Sequence, residues 1–201
     1  MKADLRINHV YLDDAITRYR HFLQRVIDGD KVVSTTGERR DIAESVLLRL
    51  CANWERFVDH HLVDCVNRDS SRLSKAFAVT IPRHPSWDLC HALIIGMGYT
   101  DFKSFADLKR YAKRLLPEGS NPFLAVGPRH AKRIDEVFCL RNYLSHYSAS
   151  AKRAHMRLYS DEYKMQKFLE PGYFVLGYNA RRLWSYFEAF EGASTDMKGT
   201  Y

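Results

Sequence analysis

The chain has 201 residues, 46% of them hydrophobic and 13% aromatic, with a formal charge of +7. That length suits a single domain with one sizeable hydrophobic core, and the apolar content excludes a disordered chain. The positive balance favours an anionic partner, nucleic acid before membrane, although charge alone speaks only to steering and non-specific affinity. Met1–Arg6 has no apolar run, so a secretory signal is not expected. The most apolar stretch, 89–99, is interrupted by His91 and falls short of the roughly 20 residues a span requires. A cytoplasmic protein without a membrane partner is expected. Cys51, Cys65, Cys90 and Cys139 form no Cys-x-x-Cys pair and read as reduced core residues.

The hydrophobic spacing predicts helices nearly throughout. The first covers 8–28, with Val10, Tyr11, Ala15, Tyr19, Phe22, Leu23 and Val26 as its stripe. Thr35-Thr36-Gly37-Glu38 carries a Thr-x-x-Glu capping box. The long helix it opens runs to about Asn67 on a face of Ala43, Val46, Leu47, Leu50, Trp54, Phe57, Val58, His61 and Cys65. His61 and Cys65 stand four apart, but no second ligand pair lies at zinc spacing and His61 is collinear with the apolar stripe. It therefore reads as a core histidine, and no metal or other cofactor is expected.

A short helix is expected over 73–79, closed before Pro82 and Pro85, and another from Trp87 to about Ile95, ended by Gly96 and Gly98. Asp101 or Ser104 caps the next, striped by Phe105, Leu108, Tyr111, Ala112 and Leu115. Its outer side holds Lys103, Lys109, Arg110, Lys113 and Arg114, which fits a solvated face or a surface tracking RNA. Asn121-Pro122-Phe123 is a turn, and Pro128 suits the first turn of the following helix.

That helix is the informative one. Ile134, Val137, Phe138 and Leu144 define its stripe. At about 100° per residue Arg141 falls inside the stripe, with Ser145 one turn on. Asn142 and His146 stack on the flank, and Asp135 points roughly the same way. A guanidinium aimed at the core side needs a carboxylate, carbonyl or phosphate. His146 lies near the helix end, where the carbonyl dipoles attract cations. Arg129, Lys132 and Arg133 precede it, and Lys152, Arg153 and Arg157 follow. A titratable histidine framed by cations suits a phosphodiester better than a metal. Arg and His on one helix are also ordinary structural residues, so a buried ion pair of Arg141 with Asp135 or Glu44 is a competing reading.

Beyond His146 the pattern weakens. Tyr159, Tyr163, Phe168, Tyr173, Phe174 and Val175 surround Pro171-Gly172, and a packed loop or a short extended strand pair over 156–178 both fit. Aromatics beside Arg157, Lys164 and Lys167 could stack bases, or simply pack. A last helix spans 179–192 on Leu183, Trp184, Phe187 and Phe190. Residues 193–201 read as a flexible polar tail.

Arg141-Asn142-Tyr143-Leu144-Ser145-His146 resembles the Arg-Asn…His motif of the HEPN superfamily, the higher eukaryote and prokaryote nucleotide-binding domains. The order of elements is similar too: the long helix with Glu44 and Trp54-Glu55-Arg56-Phe57, then the Asn121-Pro122-Phe123 turn, then the motif helix, together covering residues 40–190. The resemblance implies an all-α, single-domain helical bundle over 1–192 that forms a homodimer through the motif helix, bringing two Arg/His sets across a cleft. It implies a metal-independent endoribonuclease in which His146 serves as general base or acid and Arg141 holds the scissile phosphate. Asn142 orients His146 or donates to the phosphate, with Ser145 and Asp135 in support. RNA would be bound by Arg129, Lys132, Arg133, Lys152 and Arg153. In the toxin and defence branch an antitoxin or regulatory protein would restrain the activity. Other members of the superfamily only bind RNA or nucleotides, or dimerise. In toxins paired with a nucleotidyltransferase antitoxin a tyrosine usually lies two residues after the histidine. Here Tyr147 follows His146 directly and Ser148 holds that position, so control through such a tyrosine is not implied. Geometry adds its own reason for two copies. Arg141 and His146 are five residues apart and diverge by roughly 140° around one helix, which leaves a single helix poorly shaped to grip one phosphate from both ends.

Overall fold

The computed structural model describes residues 2–29, 35–82, 84–96, 102, 104–177 and 179–200. Among them the chain forms helices α1 (Arg6–Ile27), α2 (Thr36–Arg68), α3 (Ser71–Phe77), α4 (Trp87–Gly96), α5 (Phe105–Leu115), α6 (Pro128–His146), α7 (Ala149–Tyr163), α8 (Pro171–Leu176) and α9 (Arg181–Lys198), with short 3-10 turns at Glu118–Ser120 and Pro122–Leu124. No strand occurs among the described residues, so the fold is all-α. No described helix is long and apolar enough to cross a membrane.

α2, about 50 Å long at 1.5 Å per residue, is the axis of the bundle. Its start is the expected capping box: Thr35 Oγ1 accepts the Glu38 N–H at 3.2 Å, and Glu38 Oε2 accepts the Thr35 N–H at 2.9 Å. Leu47, Leu50, Trp54, Phe57, Val58 and Leu62 are buried along it. α1, α4, α6 and α8 all pack on α2, while α9 packs on α1, α6 and α8. Trp54 meets Phe190 of α9 edge-on at 5.3 Å, which joins the two central helices through aromatic faces. Cys51, Cys65 and Cys90 are buried thiols, and Cys139 is half-buried.

The motif helix is seated from its N-terminus. Pro128 occupies its first turn, and Asp196 of α9 accepts the Gly127 N–H at 2.9 Å, a cap supplied by another helix. The same carboxylate meets His130 Nδ1 at 2.8 Å. The His130 ring lies flush on α9, so that a Cβ built at Gly192 would stand 2.4 Å from its Cε1. Any Cβ at position 192 would require this ring to move.

Two expectations are corrected. Residues 156–177 hold no strand pair, and the expected packed loop is confined to 164–170: α7 runs to Tyr163, and Pro171 opens α8. His155, Tyr159 and Tyr163 recur every four residues on the inner face of α7, with His155 and Tyr159 fully buried. The proline-glycine pair begins a helix because proline's missing N–H costs nothing in a first turn. Nor do the described residues of the expected tail, 193–200, leave the bundle. α9 continues to Lys198 and buries Ala193, Ser194 and Met197. Ser194 Oγ reaches buried His9 Nδ1 at 2.8 Å, which satisfies both polar groups inside the core. Gly98, Asp101 and Lys103 lie outside the described residues. Ser104 caps α5, its Oγ accepting the Asp107 N–H at 3.2 Å.

His61 is a core residue, stacked on Phe57 and edge-on to Phe123. Burial lowers His9 and His155 to about 4 and His61 to about 3. An unfolded chain protonates these imidazoles near about 6.5. Between that value and about 4 the unfolded state therefore binds more protons than the folded one, and stability falls as pH is lowered through the window. Both ring nitrogens of His155 lack a hydrogen-bond partner among the described residues. His155→Phe is accordingly expected to flatten the loss of Tm between pH 6.5 and pH 4, as followed by circular dichroism. An equally steep loss in the variant would contradict a neutral, buried His155.

Candidate functional site

The C-terminal half of α6 carries the site. Arg141 leans toward α2 as its position in the apolar stripe requires, and its side chain is 28% exposed. Its Nη2 donates to Glu55 Oε1 at 3.2 Å, while Nη1 donates to Asn142 Oδ1 at 3.2 Å. The acceptor is thus Glu55, and neither of the two expected carboxylates. Asp135 is turned the other way, with its Oδ1 accepting the Phe105 N–H at the start of α5 at 2.6 Å. Burial raises the Asp135 carboxyl above its ordinary range. Glu44 accepts the Gly172 N–H at 2.9 Å and so ties α8 to α2.

Asn142, Ser145 and His146 are exposed. His146 is the last residue of α6, and Tyr147 closes the helix in the left-handed conformation at φ 45°. The helix therefore presents an oriented guanidinium, an amide shared with it and an exposed imidazole over its last two turns. Asp135 is not part of this group, being occupied as the α5 cap. Ser145 is on the surface without a described contact to Arg141.

The flanking cations divide. Arg129 and Arg153 are exposed. Lys132 pairs with Glu162 of α7. Lys152 is exposed and holds its ammonium 4.4 Å from the Phe168 ring centre, a cation–π contact at the edge of the site. Arg133 departs from the RNA-binding expectation. Its Nη1 donates to both oxygens of Glu136, at 2.8 and 2.6 Å, and to the Tyr163 hydroxyl at 2.7 Å. Glu136 is only 4% exposed, so Arg133 neutralises a buried carboxylate and fastens α6 to α7. Tyr163 donates to the same carboxylate at 2.6 Å, and burial, with that bond, pushes its phenol up to about 12.

Three cations of the basic side of α5 have partners within the chain. Lys109 donates to the Val126 carbonyl at 2.6 Å, Arg110 pairs with Asp107, and Arg114 stands over the Phe77 ring. Two clefts, of about 500 and about 690 Å³, open elsewhere. The first lies between α5, α6 and α7 around Phe105, Cys139 and Leu158. The second lies between α1 and α2 beside Trp87. Neither is lined by Arg141, Asn142 or His146.

Glu55 is the residue that sequence reading left without a role. Its signal was its place beside Trp54 on the flank of the α2 stripe, where a carboxylate borders the core without entering it. No protein-family model, curated protein or solved structure matches the chain.

Proposed function

We propose that the chain is a metal-independent endoribonuclease of the HEPN type. The observation that carries this reading is the pairing of Arg141 with Glu55, which fixes the guanidinium beside exposed Asn142 and His146 on one rigid helix end. A guanidinium oriented by a carboxylate is preorganised for a phosphate, whose oxygens it meets as a planar fork. The RNA 2′-oxygen attacks phosphorus and the bond from phosphorus to the 5′-oxygen breaks, leaving a 2′,3′-cyclic phosphate and a 5′-hydroxyl. His146 takes the proton from the 2′-hydroxyl or gives one to the departing 5′-oxygen. Two copies facing each other through α6 supply both roles, and Arg129 and Arg153 meet the neighbouring phosphates. A restraining antitoxin or other regulatory protein would bind over the same surface.

The Arg141–Glu55 pair also favours a second reading, in which the arginine is purely structural and the domain a non-catalytic binding or dimerisation module. A pair this exposed, 28% and 41%, contributes at most about 1 kcal/mol. Arg141→Ala is therefore expected to abolish nicking of mixed RNA in EDTA while lowering Tm by no more than about 4 °C. Glu55→Gln, which frees the guanidinium from its orienting carboxylate, is expected to weaken cleavage without removing it. A sedimentation profile of the parent chain is expected to show a dimer. Unfolding of Arg141→Ala would favour the structural reading, and RNA retention by a parent that never nicks would favour the binding one. A monomer, or cleavage only with added metal, would contradict the composite site.

A further inference from the structure

We propose that Tyr147 is a stacking platform for an unpaired nucleobase next to the scissile bond. This inference rests on the ribonuclease reading and deepens it.

Tyr147 is 65% exposed, among the most exposed large apolar side chains of the molecule. It stands at φ 45°, ψ 25°, a conformation uncommon for a bulky side chain. The corner is nonetheless well bonded. The Tyr147 N–H donates to the Tyr143 carbonyl at 2.8 Å, and Ser148 Oγ accepts the Ala151 N–H at 3.2 Å to start α7 at once. The turn thus lifts the ring out of the bundle between two rigid helix ends.

The ring is braced from behind. Tyr143 meets it at 5.3 Å and 60°. Tyr143 is itself buried, held by Phe168 at 5.3 Å and by His155 at 5.4 Å. An aromatic side chain supported on its inner side and bare on its outer side loses little freedom when a base settles on it.

Its neighbours state what kind of ligand that is. His146 precedes it directly, and Lys152 and Arg153 are exposed near the start of α7. An aromatic face beside cations and a titratable imidazole matches the alternation of base and phosphate in a single strand. In an A-form duplex the bases are stacked on each other and cannot reach a side chain placed this way.

The test uses the full chain, a single-stranded RNA oligonucleotide with one mapped cleavage site, the same strand in a perfect duplex, and the strand with an abasic ribonucleotide on either side of the cut. Tyr147→Leu is expected to raise KM roughly tenfold to hundredfold with kcat little changed, and Tyr147→Phe to restore most of the lost affinity. The parent acting on one of the two abasic strands is expected to show a similar loss, and the variant on that strand no further loss, because both changes remove one interaction. The duplex is expected to resist cutting. The abasic arm needs only the parent chain, so it stands even where a variant fails to fold. Equal cutting of duplex and single strand, or losses that simply multiply, would overturn the platform while leaving the nuclease intact. A parent that neither cuts nor binds RNA would overturn both.

Discussion

His146→Ala is expected to slow RNA cleavage by about 10²–10⁴-fold, the usual contribution of a positioned acid–base group. The same substitution should leave the fold untouched. His146 is exposed at the last position of α6, with its backbone in a helix that Tyr147 closes. Surface changes of this kind stay within about 0.5 kcal/mol, or about 2 °C in Tm for a chain of this size. Single-turnover cleavage and a melting curve on one sample check both halves. Cleavage unaltered by the substitution would remove His146 from the chemistry. Cleavage lost together with helix content would give it a structural role instead.

The largest expected stability loss away from the site is at Gly172. A Cβ there would lie 2.5 Å from the Arg40 carbonyl oxygen and 2.6 Å from Arg40 Cγ. The first of these is backbone of α2 and has no rotamer to yield. The Gly172 N–H also donates to Glu44, so moving α8 outward to relieve the clash breaks a half-buried charge-assisted bond. Gly172→Ala is expected to cost about 1–3 kcal/mol, as overpacking does, which corresponds to a fall of about 2–12 °C in Tm. α8 packs its Phe174 on Tyr159 at 4.3 Å, next to the cluster that braces Tyr143, so the loss reaches toward the site. A variant melting with the parent would show that α8 is not clamped to α2.

What could be read from residues alone was local. The Thr35–Glu38 box, the first-turn proline of α6 and the inward lean of Arg141 each follow from spacing within one helix, and each is present. Glu55 could not be assigned to Arg141, because it is 86 residues away in sequence and the pairing depends on how α2 and α6 cross. Arg133 was legible in principle. Glu136 follows it at i+3, beside Val137, and a carboxylate bordering the stripe invites an arginine from the same helix. The helical path of 156–163 is hard to read because its inward series begins at a histidine, His155, which precedes Tyr159 and Tyr163 at four-residue spacing. Ser194 hid the end of α9, its hydroxyl being satisfied only by partners far away in the chain, His9 and Asp13 of α1.

The most direct test of the central claim is cleavage, in EDTA, of an RNA strand carrying a single 2′-deoxyribose at the mapped site. Resistance confined to that bond, with 2′,3′-cyclic phosphate and 5′-hydroxyl ends at the unmodified bond, is the expected result. Cutting at the deoxyribose, or no cutting anywhere until a divalent metal is added, would contradict it.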